Sequence, residues 1–397
     1  MRSLFLVPAV MIIAATSLSA SDDQKVTLKM GDAAPPLKAT KWLRGAEITL
    51  SPGKVYVVEF WATWCGPCIA MMPHLGDLQE ELAAKGVTII GFTAKDPNNS
   101  LEQVIKFLDK RGDKLGYTIA YADDRETYDA YMKASGHGGI PCSYVIGKDG
   151  KIAYVGHPLF LDEVLPKVLA GTWDAENGKA ELEAADKLWD ATYAAMSKSG
   201  DPAKQLAVWE AFSAKWPKLA SDPYMNAARL KLLVSAKKFA DAQQLAESMT
   251  NKAVKRNDLS TLGTVTDAVA NARGNTALTA LGVKAAESSL AIDGETVTAL
   301  IRVTKAHAAA GNQAQVDKFG PKAIAAAEQA ITGDKDAMGT LRLASAYFAT
   351  GNKVKAKETA ETAVNLVDEG NLGMRRYIED QAKQYGAEPK DKEKNDR

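Results

Sequence analysis

Two cysteines separated by two residues, Cys65 and Cys68, have the type and spacing that most directly allow covalent chemistry in this chain. They lie in Trp61-Ala62-Thr63-Trp64-Cys65-Gly66-Pro67-Cys68, directly after the apolar run at 55–60 and at the start of a helical pattern at 67–85. A cysteine at a helix N-terminus feels the positive end of the helix dipole and unpaired backbone amides, and both favour its thiolate. Cys65 therefore reads as a nucleophile. Cys68, one turn on, faces back toward Cys65 and is placed to resolve the mixed disulfide through which thiol–disulfide exchange passes. Pro67 suits a first helical turn, where no amide hydrogen is needed. Two plainer readings compete. Half of a zinc site lacks a second ligand pair, because only Cys142 and four scattered histidines remain. A disulfide that never cycles would close so small a loop that it restrains the unfolded chain little.

Other side chains stand near this pair. Glu59 lies six residues before Cys65 in an otherwise apolar strand, and burial there would raise its pKa toward the range of a useful general base. Strand alternation alone would instead leave it on a solvated face. Trp61 and Trp64 flank the motif as an apolar docking surface or as ordinary core, the latter reading being stronger for Trp61. Cys142 is either a third thiol within reach of Cys65 or a small buried apolar residue, and free cysteines favour burial. His137 sits in a glycine-rich loop, while His74, His157 and His307 show no ligand or triad spacing.

The elements that must position these residues alternate through residues 25–172. Strand candidates are 55–61, 87–92, 117–121, 143–146 and 152–155; helical candidates are 67–85, 101–111, 126–134 and 161–169. Gly147-Lys148-Asp149-Gly150 signals a hairpin between the last two strands. The expected product is an α/β domain with a mixed central sheet and helices on both faces. From 174 to 384 nothing reads as a strand. Turns at Gly200-Asp201, Lys237-Lys238, Gly274-Asn275, Gly311-Asn312 and Gly351-Asn352 are spaced 37, 37, 37 and 40 residues apart, which suggests five helical hairpins.

The motif, the start Gly31-Asp32-Ala33-Ala34-Pro35 and the segment Gly139-Ile140-Pro141 together resemble the thioredoxin superfamily, and more narrowly the TlpA/ResA-type exported thiol–disulfide oxidoreductases, over residues 30–169. The resemblance implies a redox-active Cys65–Cys68 disulfide and no cofactor or metal. It implies that Pro141 is cis and packs against the cysteine pair, where the backbone before it, at Ile140, pairs with a substrate strand. Trp64, Gly66 and Pro67 complete the expected substrate-binding set. Glu59 takes the place of the buried carboxylate that assists proton movement at the resolving cysteine. The chain departs from the family in two places: Met71 stands where many members carry a Glu, and Cys142 stands where a small polar residue is usual.

At 397 residues more than one domain is expected. The expected organisation is a signal peptide at 1–20, a thioredoxin-like domain at 21–172, an α-helical repeat domain at 173–386 and a disordered tail at 387–397. The leader rests on Arg2, an apolar run at 4–15 too short to span a bilayer, and small residues around Ser17 to Ser21. The last hairpin, around Gly351-Asn352, resembles a tetratricopeptide repeat closely and the earlier ones less so, hence tetratricopeptide-like. Lys+Arg and Asp+Glu are equal at 49 each, which speaks against nucleic acid as a partner. The implied function is a periplasmic or otherwise extracytoplasmic reductant of protein disulfides, fed by a membrane electron donor, with a protein partner on the repeats. The alternatives are a redoxin-type peroxidase, suggested by Thr63 two residues before Cys65, and a repeat scaffold with a secondary redox domain.

Overall fold

The computed structural model describes residues 26–198, 200–220, 223–272, 274–368 and 371–386. The expected leader and tail lie outside them. The strands are β1 (Lys41–Arg44), β2 (Val55–Phe60), β3 (Val87–Ala94), β4 (Thr118–Ala122), β5 (Cys142–Ile146) and β6 (Ile152–Gly156). They form one sheet in the order β1-β4-β3-β2-β5-β6. The β2/β3 and β3/β4 pairs are parallel and the rest antiparallel, which gives the mixed sheet expected. All six residues of β2 are buried, as a strand paired on both edges and covered on both faces must be.

The two faces of the sheet differ in chemistry. Tyr56, Val58 and Phe60 point into an apolar cluster with Ile90, Phe92, Tyr131 and Tyr144, where the Phe60 ring meets that of Tyr144 edge-on at 5.6 Å. Val57 and Glu59 alternate to the other face. The four-residue β1 did not stand out in the sequence, because KWLR carries two cations and no apolar alternation and serves as an edge strand. The β5–β6 connection is the hairpin expected, with Gly150 at φ +75° and its N–H bonded to the Gly147 carbonyl at 2.9 Å.

Helices α1 (Gly66–Leu82), α2 (Leu101–Asp109), α3 (Glu126–Tyr128) and α4 (Leu161–Ala170) accompany the sheet. A helix was expected over 126–134, but after one turn it widens to π geometry at Asp129–Lys133, with the Ala134 N–H bonded to the Asp129 carbonyl at 2.9 Å. The far half of α1 is anchored on three sides. The Gln79 side chain bonds the backbone of β3 at Val87 and Ile89, and His74 Nε2 lies 2.6 Å from Asp162 of α4. The buried Arg256 guanidinium donates from Nε to Asp77 (3.0 Å) and from a terminal nitrogen to Glu80 (2.7 Å). Glycine is required where Arg256 passes: a Cβ on Gly116 would sit 2.5 Å from the guanidinium, and one on Gly76 2.1 Å from the Leu115 carbonyl oxygen.

Beyond α4 the described chain is helical: α5 (Ala175–Lys198), α6 (Pro202–Lys215), α7 (Pro217–Ala220), α8 (Pro223–Ser235), α9 (Phe239–Arg256) and α10 (Leu259–Val269). There follow α11 (Thr276–Asp293), α12 (Val297–Ala309), α13 (Gln313–Gln329), α14 (Ala337–Ala349), α15 (Lys353–Asn365) and α16 (Leu372–Ala382). Two compact units result: the described residues up to Lys238 with Lys252–Asp258, and Phe239–Asn251 with the described residues from Leu259 onward. Helices α5 to α8 thus belong to the unit that holds the sheet. Each of the five turns read from the sequence ends at a helix N-cap: Asp201, Lys238, Asn275, Asn312 and Asn352. Among the described residues no helix is long and apolar enough to cross a membrane.

His157 gives the fold a pH dependence. Its Nδ1 accepts the Leu159 N–H at 3.1 Å and so caps the short turn Pro158–Phe160, a bond that only the neutral ring can make. Burial holds its pKa down, from 6.5 to about 4. Between those values the unfolded chain binds a proton that the folded one does not, so the contribution of His157 is full above pH 6.5 and is lost as pH falls toward 4. Replacing it with Asn, which keeps a capping oxygen, is expected to flatten the fall of melting temperature across that range; an unchanged slope would rule His157 out as its source.

Candidate dithiol site

The site begins where β2 gives the chain to α1. Phe60 ends the strand, residues 61–64 turn, and Cys65 is the N-cap of α1 with φ −81° and ψ 92°. Its sulfur accepts the Cys68 N–H at 3.2 Å, one of the amides that a helix N-terminus leaves without an intrahelical partner. Cys65 and Cys68 are joined by a disulfide of 2.01 Å. Both cysteines are buried, Cys65 4% exposed and Cys68 0%. Gly66 and Pro67 next to them are exposed, and the space above the Gly66 Cα is open to 4 Å. The exposed stretch of the motif is thus the one that flanks Cys65, at Trp64, Gly66 and Pro67.

Trp64, 56% exposed, stands beside this opening with its indole N–H donated to Asp96 at 3.0 Å. Trp61 does the opposite: it is buried and packs on Phe107 of α2 at 5.4 Å. The strand register brings in the other expected residues. Phe60 pairs with Cys142 across β2/β5, so the preceding Ile140 and Pro141 lie at the sheet end where residues 61–65 emerge. The Ile140–Pro141 peptide is cis.

Glu59 is fully buried, and neither of its carboxylate oxygens meets a protein hydrogen-bond donor among the described residues. Its neighbours in register are Ser143 on β5 and Gly91 on β3. A Cβ at Gly91 would sit 3.1 Å from the Tyr117 ring and 3.2 Å from Trp61 Nε1, so both rings close over the glycine beside Glu59. Burial pushes the Glu59 carboxyl well above the ordinary carboxylate range. Burial, and then the Glu59 charge, push the Tyr117 hydroxyl up as well. The outcome is a carboxyl group in a desolvated chamber, able to hold a proton under conditions where a surface Glu would have lost it.

The segment ahead of Cys65 is held by side chains that the sequence did not single out. Asn99, fully buried, accepts from the Thr63 N–H (2.9 Å) and hydroxyl (2.8 Å) and donates to Thr93 Oγ1 (2.8 Å) and the Ala94 carbonyl (2.9 Å). Thr93 in turn donates to the Trp61 carbonyl at 2.7 Å. Asp96-Pro97-Asn98-Asn99 has the composition of an ordinary turn, and nothing in it announces which side chain points inward. Of the histidines, His137 is exposed and bonds Ser135.

The chain is similar in sequence to several known proteins. The family model described as Redoxin matches residues 29–163. Protein FixW of Rhizobium leguminosarum is 32% identical over 161 residues, which cover 39% of this chain and 72% of that protein. Thiol-disulfide oxidoreductase ResA of Oceanobacillus iheyensis is 30% identical over 155 residues, covering 38% of this chain and 76% of that one. Among solved structures, a thiol:disulfide interchange protein of the thioredoxin family from Chlorobium tepidum matches at 26% identity with a TM-score of 0.30, covering 34% of this chain and 95% of that chain.

Cys142 lies within the apolar cluster, and burial pushes its thiol up to about 12. It stays protonated and shielded at pH 8. With the 65–68 disulfide intact, iodoacetamide is expected to label no cysteine of the native chain at pH 8 and to label Cys142 once the chain is unfolded. Rapid native labelling, located by mass spectrometry, would place a reactive third thiol at the site.

Proposed function

Because this chain belongs to the ResA-type thiol–disulfide oxidoreductases of the thioredoxin-like fold, we propose that it works outside the cytoplasm as a reductant of protein disulfides through its Cys-Gly-Pro-Cys motif. The observation that carries this reading is the unequal seating of the two cysteines: Cys65 caps the N-terminus of α1 between the exposed Trp64 and Gly66, and Cys68 is wholly buried one turn on. In the reduced protein the Cys65 thiolate attacks one sulfur of a partner disulfide. That bond breaks, a mixed disulfide forms, and the departing sulfur takes up a proton. Cys68 then gives its proton to Glu59 and attacks the Cys65 sulfur. The mixed disulfide breaks, the second partner sulfur leaves as a thiolate that takes up a proton, and the Cys65–Cys68 disulfide remains, two electrons having passed to the partner.

Returning those electrons requires a reductant, and in an oxidising compartment a membrane electron donor fills that role. When the donor reduces the disulfide, Glu59 supplies the proton to the leaving Cys68 sulfur; its raised pKa suits both directions. Trp64 offers an aromatic face beside Cys65, Gly66 and Pro67 leave the approach open, and the backbone at Ile140 pairs with an extended partner segment. The basic and apolar residues at 1–20 support export, and the helical region offers a surface for recruiting a partner.

Replacing Cys68 with Ser removes the resolving step, so covalent complexes through Cys65 that dithiothreitol dissolves are expected from whole cells. Recovering none would count decisively against exchange. Replacing Glu59 with Gln is expected to slow resolution of a mixed disulfide about 100-fold near neutral pH. The same change bears on stability. The folded carboxyl has a pKa above the 4.5 of an unburied Glu, so Glu59 costs the fold stability increasingly as pH rises above 4.5. The Gln variant should therefore melt higher than the parent at pH 8 and near it at pH 4; equal melting at both pH values would place Glu59 in water.

A further inference from the structure

The connection from β3 to α2, residues 95–100, grips the two residues that immediately precede Cys65. Asn99 takes Thr63 by its backbone N–H and its hydroxyl, and Asp96 takes Trp64 by its indole N–H. An Asn side chain has one acceptor oxygen and two donor hydrogens, and this one uses all of them. Its amide donors fasten it to Thr93 Oγ1 and to the Ala94 carbonyl at the end of β3, so the grip is referred to the sheet. Thr93 closes the circuit by donating to the carbonyl of Trp61. The turn from Trp61 to Thr63 is thus fixed at both ends by one buried network, with a single residue left before the nucleophile.

We propose that Asn99 is a positioning residue for thiol–disulfide exchange: it seats Cys65 at the N-terminus of α1 and, with Asp96, sets the Trp64 ring beside it. The inference rests on the exchange reading given above. The group at position 99 must accept two hydrogens, donate two and carry no charge. A Leu of similar size would leave the Thr63 amide and the Ala94 carbonyl unbonded in the interior. An Asp would keep the acceptors and set a negative charge near the sulfur that must ionise. A neutral amide satisfies the turn and adds no charge of its own to the field that the helix N-terminus sets at Cys65.

The test is the pH dependence of iodoacetamide alkylation at Cys65 in the reduced full-length chain, with the label located by mass spectrometry. Asn99→Ala is expected to raise the midpoint by about one pH unit, so that alkylation below the midpoint slows about tenfold. Thr63→Val, which removes only the hydroxyl bond, should move it the same way by less. Val164→Ala, a cavity in the fully buried part of α4, serves as the comparison for lost stability alone and should leave the midpoint in place. A parental midpoint in Asn99→Ala overturns the proposal, as does an equal shift in Val164→Ala; should Asn99→Ala not fold, a parental midpoint in Thr63→Val decides against it. If the parent chain itself alkylates with the midpoint of an ordinary thiol, near ~8.5, the exchange reading falls and this inference with it. A low midpoint in the parent that survives both substitutions removes this inference alone.

Discussion

The Cys65 sulfur lies against the free amides of a helix N-terminus, accepting the Cys68 N–H at 3.2 Å, and that contact sets the demands on the rest of the first unit. A helix dipole acts strongly only within its first turn, so a small rotation of α1 away from the sulfur would remove the effect. The helix is accordingly tied at both ends. Gln79, His74 and the Asp77/Glu80 pair secure its far half to β3, to α4 and to Arg256. Asn99 secures the turn that delivers the chain to its near end. Surface ion pairs contribute little individually, but the Arg256 guanidinium is itself buried and has two acidic partners on α1, Asp77 and Glu80.

The two faces of β2 divide the work between stability and chemistry. One face is apolar and aromatic, with Tyr56, Val58 and Phe60 packed among Tyr131, Tyr144 and Phe92. The other carries Glu59, with Ser143, Tyr117 and Trp61 around it, each with a buried polar atom lacking a protein partner among the described residues. Such desolvated polar groups lower stability, and here several of them gather around Glu59. Strand alternation also explains Cys142. Directly across from Phe60, it falls on the apolar face, one residue from Ser143, which faces Glu59.

The helical region shows why some local patterns read easily. In Gly274-Asn275, Gly311-Asn312 and Gly351-Asn352 the glycine takes a positive φ, directly after the helix C-cap in the last two, and the asparagine caps the next helix by accepting from an amide three residues on. Both roles belong to the residue type itself, so the period is visible in the letters. Lys237-Lys238 has neither device: Lys237 takes φ +58° without being glycine, and Lys238 makes no side-chain cap. That turn is legible only through its spacing from the others, and it is where the chain first passes from one unit to the other.

Sequence alone determined the cysteine pair, its place at a strand-to-helix transition, the central strands and most of the helices. These follow from apolar runs, from Gly, Pro and Asn at turns, and from a two-residue gap, all of which are local. It did not show β1, a short cationic edge strand recognisable only by the partner it pairs with, nor the widening of the 126–134 helix to π geometry. Tertiary structure decided that Glu59 is buried, that Cys142 falls on the apolar face, and that Asn99, thirty-four residues beyond Cys65, holds the turn that seats it. Each of those outcomes depends on which segments meet in space. Burial and hydrogen bonding between distant residues are set by the packing of the whole, and a window of neighbouring letters does not contain them.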